Sequence, residues 1–235
     1  MDRRPSLTTQ AGEARLTFRE GDLADFGSWR GSILVRRLHL FLSPFGRRYS
    51  LMARSGKVTV IGAGFYGSTT ALRLAEYDIF DKVVLTDVVD GKAEGLALDL
   101  NQSRWIEGFE TKVVGQTTGP NGEGYEVIAG SEIVVITAGL PRKPGMSRMD
   151  LIETNAKIMR AVAENIAKHA PEAVIINVAN PLDEMTALAQ IVTGFPHKRV
   201  IGQAGMLDTA RFTHFVAEKL NVPVASVTTL TLGSH

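Results

Sequence analysis

"KVTVIGAGFYGSTTALRLAEYDIFDKVVLTD", residues 57–87, decides the fold of this chain. "KVTVI" is a short apolar, β-branched run, which reads as a strand. It ends in "GAGFYG", with Gly62, Gly64 and Gly67 in a G-x-G-x-x-G spacing. "STTALRLAEY" follows with Ala71, Leu72 and Ala75 at helical spacing, and "KVVLTD" at 82–87 is a second apolar strand. In a strand–turn–helix–strand unit each glycine has a separate task. Gly62 permits the tight turn, Gly64 admits a pyrophosphate close to the backbone, and Gly67 lets the helix lie against the sheet. The helix start, across Ala63, Phe65 and Tyr66, offers N–H groups and the positive dipole end to an anion. Asp87 ends the next strand twenty residues after Gly67. A carboxylate there accepts bonds from both ribose hydroxyls of an adenosine and repels a 2′-phosphate, and no Arg or Lys precedes Lys92 beside it. The expected cofactor is NAD rather than NADP. A structural glycine turn followed by a surface Asp is the weaker reading.

The pattern continues outward. "GKAEGLALDLNQS" reads as a helix, "TKVV" at 111–114 as a weak strand and "EIVVIT" at 132–137 as a strong one. The stretch 150–170 is a long helix with Ile152, Ala156, Met159, Ala163 and Ile166 on one face and Pro171 as its stop. "AVIINV" at 173–178 and "RVIG" at 199–202 are further strands. Strands without polar alternation, separated by helices, indicate a parallel sheet covered on both faces. The final "VASVTTLTLGSH" alternates and is expected to be a strand as well.

Composition excludes other classes. Cysteine is absent, so disulfide and thiolate chemistry are excluded. A net charge of +1 gives no case for nucleic acid, and no apolar run reaches bilayer length. No metal-ligand pattern stands out. The charge is unevenly spread. Residues 1–51 hold nine Arg, no Lys and five acidic residues, and all nine Lys lie after position 51. That first segment lacks sustained periodicity. It is read as an atypical extension, either disordered or translated from GC-rich DNA ahead of a start at Met52. An Arg-rich targeting peptide and a partner-binding basic tail are the alternatives.

Three loops carry candidate chemistry. "AGLPRKPGMSR" at 138–148 leaves the carboxyl end of a strand with Arg142 and Arg148, two guanidinium forks suited to a dianionic substrate. A solvated basic loop is the bland alternative. "NVANPLD" puts Asn180 at the equivalent edge, where it could equally be a turn former before Pro181. "MLDTARF" places Asp208 and Arg211 three apart on one helix face, which a local ion pair would also explain.

Together "IGAGFYGS", "VVITAGLPRKPGMSR", "NPLD", "IGQAGMLDTARF" and "GSH" resemble the lactate/malate dehydrogenase family, most closely its lactate-dehydrogenase-like malate dehydrogenases, from about Lys57 to His235. The resemblance implies an α/β Rossmann fold, a doubly wound parallel sheet over 52–203, followed by the beginning of a truncated α+β substrate domain at 204–235. It implies NAD-dependent interconversion of (S)-malate and oxaloacetate, a reaction of the tricarboxylic acid cycle. Arg142 then binds the distal carboxylate, and Arg148 polarises the reacting C–O group as the loop closes. Asn180 bonds the same oxygen, Arg211 clamps the C1 carboxylate, and Asp208 orients His235, the proton acceptor. Asn155 matches a cofactor contact, and the backbone at Val178 and Ala179 meets the nicotinamide. The partner is a small dicarboxylate, with no nucleic acid and no membrane, in a cytoplasmic homo-oligomer (dimer or tetramer). A lactate dehydrogenase and a non-catalytic NAD-binding module are the competing readings. On this reading the chain stops at His235 itself, and little dehydrogenase activity is expected of it as written.

Overall fold

The computed structural model describes residues 54–141 and 144–233 in full. Of the first 53 residues it describes only the backbone of two strands, β1 (Leu7–Gln10) and β2 (Glu13–Leu16). The chain divides into two units, Met1–Phe41 and Leu42–His235. In the first, β1 pairs antiparallel with β2, Leu7 opposite Leu16 and Gln10 opposite Glu13. Two four-residue strands are too short to show as sustained periodicity. The remainder of the expected extension, 1–51, lies outside the described residues.

The second unit is a six-stranded parallel sheet. Its strands are β3 (Lys57–Ile61), β4 (Lys82–Asp87), β5 (Lys112–Thr117), β6 (Ile133–Ile136), β7 (Val174–Asn177) and β8 (Val200–Gly202). The spatial order is β5-β4-β3-β6-β7-β8. The chain thus begins centrally, winds outward to β5, then crosses back beyond β3 and winds the other way. This is the Rossmann doubly wound order, with its switch point between β3 and β6. In register, Val60 stands beside Leu85 on one side and Val135 on the other.

Alternate side chains of each strand enter opposite layers. Val58, Val60 and Val135 pack with Ala71 and Ala75 of α1 (Phe65–Glu76) and with Ala93 and Ala97 of α2 (Lys92–Glu107). Ile61, Val134 and Ile136 pack on the other face. Their partners there include Met159, Val162 and Ile166 of α3 (Arg148–His169) and Met185 and Ala189 of α4 (Leu182–Thr193). Of the face foreseen for 150–170, Met159, Ala163 and Ile166 are buried, and Ile152 and Ala156 pack at its margin.

The last expected strand is not formed. After α5 (Gly205–Leu220), a 3-10 turn at Val224–Ser226 leads into irregular chain to Gly233. No described strand lies beside it to pair with. Its threonines turn to α5 instead: Thr229 and Thr213 hydroxyls bond at 2.6 Å, and the Thr231 N–H donates to Thr209 Oγ1 at 3.0 Å.

Candidate active site at the switch point

The turn after β3 is fixed from within. Gly62 adopts φ +103°, a left-handed value open to glycine, and its carbonyl accepts from the Thr137 hydroxyl at 2.9 Å. A Cβ on Gly67 would lie 1.8 Å from the Gly62 oxygen, so the helix approaches the turn as closely as a glycine permits. Gly64 differs, because a Cβ there would meet nothing within 4 Å. Its exposed backbone faces open space. Gly64 is also the N-cap of α1, with no side-chain cap and no acid in the first turn. The first turn of the helix therefore carries no acid and no side-chain cap of its own to offset its positive end. Helix α1 starts at Phe65, three residues before the start read from the sequence; Phe65 is fully exposed and Tyr66 half so.

Asp87 is tied to this turn. Its Oδ2 accepts from the Ala63 N–H at 2.7 Å and its Oδ1 from the Val89 N–H at 2.9 Å, with the side chain only 11 % exposed. The glycine turn and the carboxylate are thus one rigid piece. Lys92, the first basic residue after Asp87 and the first residue of α2, places its Nζ 3.4 Å from Asp87 Oδ2. Glu94, also in the first turn of α2, accepts from the Thr117 N–H and from its hydroxyl, bracing α2 against the end of β5. Burial pushes Glu94 up, but bonds from its own backbone and from Thr117 outweigh that and hold it below its usual range.

Across the switch point the candidate residues are differently placed. Arg142 lies outside the described residues, as does His235. Arg148 opens α3, behind a capping box in which Ser147 and Asp150 exchange bonds at 3.1 and 2.9 Å. Its guanidinium is largely exposed and donates to Glu184 Oε1 of α4 at 3.0 Å. Glu184 is held below its usual range by its own backbone N–H and by Arg148. Asn180 is exposed, beside a cis peptide to Pro181. Val178 continues the ladder, its N–H donating to the Ile136 carbonyl at 2.9 Å, and Ala179 is buried. Asn155 is 2 % exposed and its carboxamide bonds to backbone groups of Leu140 and Asn180. On α5, Asp208 and Arg211 form an i,i+3 ion pair at 3.5 Å. The structure thus joins Ala63 to Asp87, Asn155 to Asn180, and Asp208 to Arg211.

A family model described as lactate/malate dehydrogenase, NAD binding domain, matches residues 56–202. This chain belongs to the lactate/malate dehydrogenase family. It is similar to the malate dehydrogenases of Chloroherpeton thalassium (52 % identity over 179 residues) and Bacillus subtilis (50 % over 181). Each alignment covers 76 % of this chain and 56 % of the relative. The chain therefore spans about half the length of the curated relatives it matches. Among solved structures, Salinibacter ruber malate dehydrogenase superposes with a TM-score of 0.69 at 44 % identity, covering 76 % of this chain and 54 % of that one. A Cryptosporidium parvum lactate dehydrogenase, solved with lactic acid and nicotinamide adenine dinucleotide, gives 0.71 at 38 % identity, covering 78 % and 56 %.

The family's cofactor is NAD, and the residues present fit it. The open face of Gly64, the uncapped start of α1 and the anchored Asp87 would hold it, the first two suiting a pyrophosphate and the carboxylate a ribose. Sequence reasoning missed three residues that build the candidate site. Thr137 holds Gly62, and Glu184 holds Arg148. Asn177, fully buried, accepts from the Ala179 N–H at 3.0 Å and donates to Thr186 Oγ1 at 3.0 Å. A polar residue closing the apolar run "VIIN" was the available sign of Asn177. Among the described residues no cluster of His, Asp and Glu could hold a metal, and no helix is long and apolar enough to cross a membrane.

Proposed function

We propose that this chain carries the cofactor-binding part of an NAD-dependent malate dehydrogenase, interconverting (S)-malate and oxaloacetate. The observation that carries the reading is the 2.7 Å bond from Ala63 N–H to Asp87 Oδ2. It fixes a ribose-binding carboxylate to the phosphate turn, which favours two free ribose hydroxyls over a 2′-phosphate. When bound, NAD supplies the hydride acceptor. The protein's task is to hold malate and move its proton. In this reading His235 accepts the C2 hydroxyl proton at its imidazole, and Asp208 fixes the tautomer and stabilises the imidazolium. Arg211 holds the C1 carboxylate, Arg142 the distal one, while Arg148 and Asn180 polarise the reacting oxygen. These roles, with a cytoplasmic homo-oligomer as their setting, rest on the resemblance of the motifs.

The substrate is tested in a version of this chain completed to the length of its relatives, comparing L-malate and L-lactate as reductants of NAD and NADP. Malate with NAD should dominate. Arg142→Gln should remove malate turnover selectively, because losing one partner of a desolvated charge pair costs about 2–5 kcal/mol. Lactate turned over faster than malate by the unmodified protein would contradict the dicarboxylate reading.

A further inference from the structure

Asn155 matches a cofactor contact by sequence, and its side chain is also bonded to the backbone of two loops. It sits in α3, 2 % exposed. Its Oδ1 accepts from the Leu140 N–H at 2.8 Å, and its Nδ2 donates to the Leu140 carbonyl at 3.1 Å and to the Asn180 carbonyl at 2.7 Å. Both amide hydrogens are thereby used. Leu140 lies beyond the end of β6, at the root of the loop that leads to Arg142, and Asn180 lies beyond the end of β7. Neither is part of the sheet. The two segments converge here: a Cβ on Gly139 would lie 3.6 Å from both Ala179 Cβ and Asn155 Cγ.

We infer that Asn155 is a positioning residue that straps the loops after β6 and β7 to α3, and so shapes the nicotinamide half of the cofactor site. The inference rests on the NAD-binding reading. Asp87 and the glycine turn serve the adenosine half. A dinucleotide lying across the switch point places its other half over the ends of β6 and β7, where Asn155 acts. The strap is made of buried amide–carbonyl bonds, so removing it leaves the Leu140 N–H and the Asn180 carbonyl without their partner.

Two ligands separate the halves of the site. ADP-ribose contains the adenosine and pyrophosphate but no nicotinamide; NADH contains all three. Both are titrated calorimetrically into the 235-residue chain and its Asn155→Ala and Asn155→Asp variants. The aspartate keeps the size and the acceptor but sets a carboxylate against two carbonyl oxygens. Hydrogen exchange at the Leu140 amide is followed in the cofactor-free proteins. In both variants we expect ADP-ribose affinity within about twofold of the unmodified chain and NADH affinity about tenfold weaker. The Leu140 amide should exchange faster before any cofactor is added, a change that a direct cofactor contact would not produce. Unchanged NADH affinity, equal loss of both ligands, or unaltered Leu140 exchange would overturn the inference. If the unmodified chain binds neither ligand, the NAD reading itself fails, which is a different result.

Discussion

The turn after β3 and the loop after β6 leave neighbouring strands at the same end of one sheet, and they are built in opposite ways. The turn is closed by backbone and by bonds that point inward: Gly67 against the Gly62 carbonyl, Thr137 on that same carbonyl, Ala63 on Asp87. The loop is anchored at its root by Asn155 and at its far end by the Ser147–Asp150 box, while between them Pro141, Pro144 and Gly145 stand exposed. Arg148 donates to Glu184, a partner that is itself at the surface. The difference teaches where preorganisation is placed. The proposed cofactor half is held by bonds within the protein, whereas Arg148, in the proposed substrate half, lies at the surface.

The same contrast separates two helices. α3 buries Leu151, Asn155, Met159, Val162, Ala163 and Ile166, whereas α5 buries only Ala217 among its described residues. Phe212, Phe215 and Leu220 of α5 stand exposed, beyond the 56–202 stretch that the family's NAD-binding domain matches.

The largest effect is expected at Gly67. Gly67→Ala places a Cβ 1.8 Å from the Gly62 oxygen, a backbone atom that cannot move without opening the turn. NADH binding should be lost and the melting transition lowered, by about 1–3 kcal/mol in stability. A variant that binds NADH normally would show that the turn is not closed in this way.

A smaller effect is expected at Lys92, whose ammonium lies at a helix start where a cation is electrostatically disfavoured and beside the carboxylate proposed to exclude NADP. Lys92→Ala should sharpen the preference for NADH over NADPH by a few-fold, about 1 kcal/mol or less. Competition titrations would measure it, and a weakened preference would reverse the sign assigned to Lys92.

The smallest effects belong to the exposed loop. Arg148→Ala should leave NADH affinity and melting temperature nearly unchanged, because its ion pair is largely solvent-exposed. Acid should act mildly through the same groups. Glu184 is held below its usual range by its own N–H and Arg148, and Asp150 by the N–H and hydroxyl of Ser147. A depressed folded-state pKa means that the unfolded chain binds more protons. The stability these carboxylates add is present above the ordinary carboxylate range and lost as pH falls through their lowered values. Thermal melts should therefore be flat at neutral pH and decline below about pH 4, less so in Glu184→Gln. An identical decline in that variant would remove Glu184 from the account.

The sheet was legible because strands buried on both faces are continuous apolar runs, as "KVTVI" and "EIVVIT" are, and the glycine spacing located the switch point. The terminal "VASVTTLTL" misled because alternation describes a strand only where a neighbour offers an edge; here its threonines bond to α5. Thr137 and Glu184 escaped notice for a related reason. Their partners, the Gly62 carbonyl and the Arg148 guanidinium, are brought close only by the fold, and no spacing encodes them. Asn155 was found, but its buried strap could be seen only once Leu140 and Asn180 lay beside it.

The central claim is that Asp87, fixed to the glycine turn, makes this chain select NAD. It is tested by the dissociation constants of NADH and NADPH for the chain and for Asp87→Ser, measured by cofactor fluorescence. The unmodified chain should favour NADH by at least about tenfold, and Asp87→Ser should narrow that ratio toward unity, chiefly by admitting NADPH. Equal affinity for the two cofactors in the unmodified chain, or a ratio unmoved by Asp87→Ser, would contradict it.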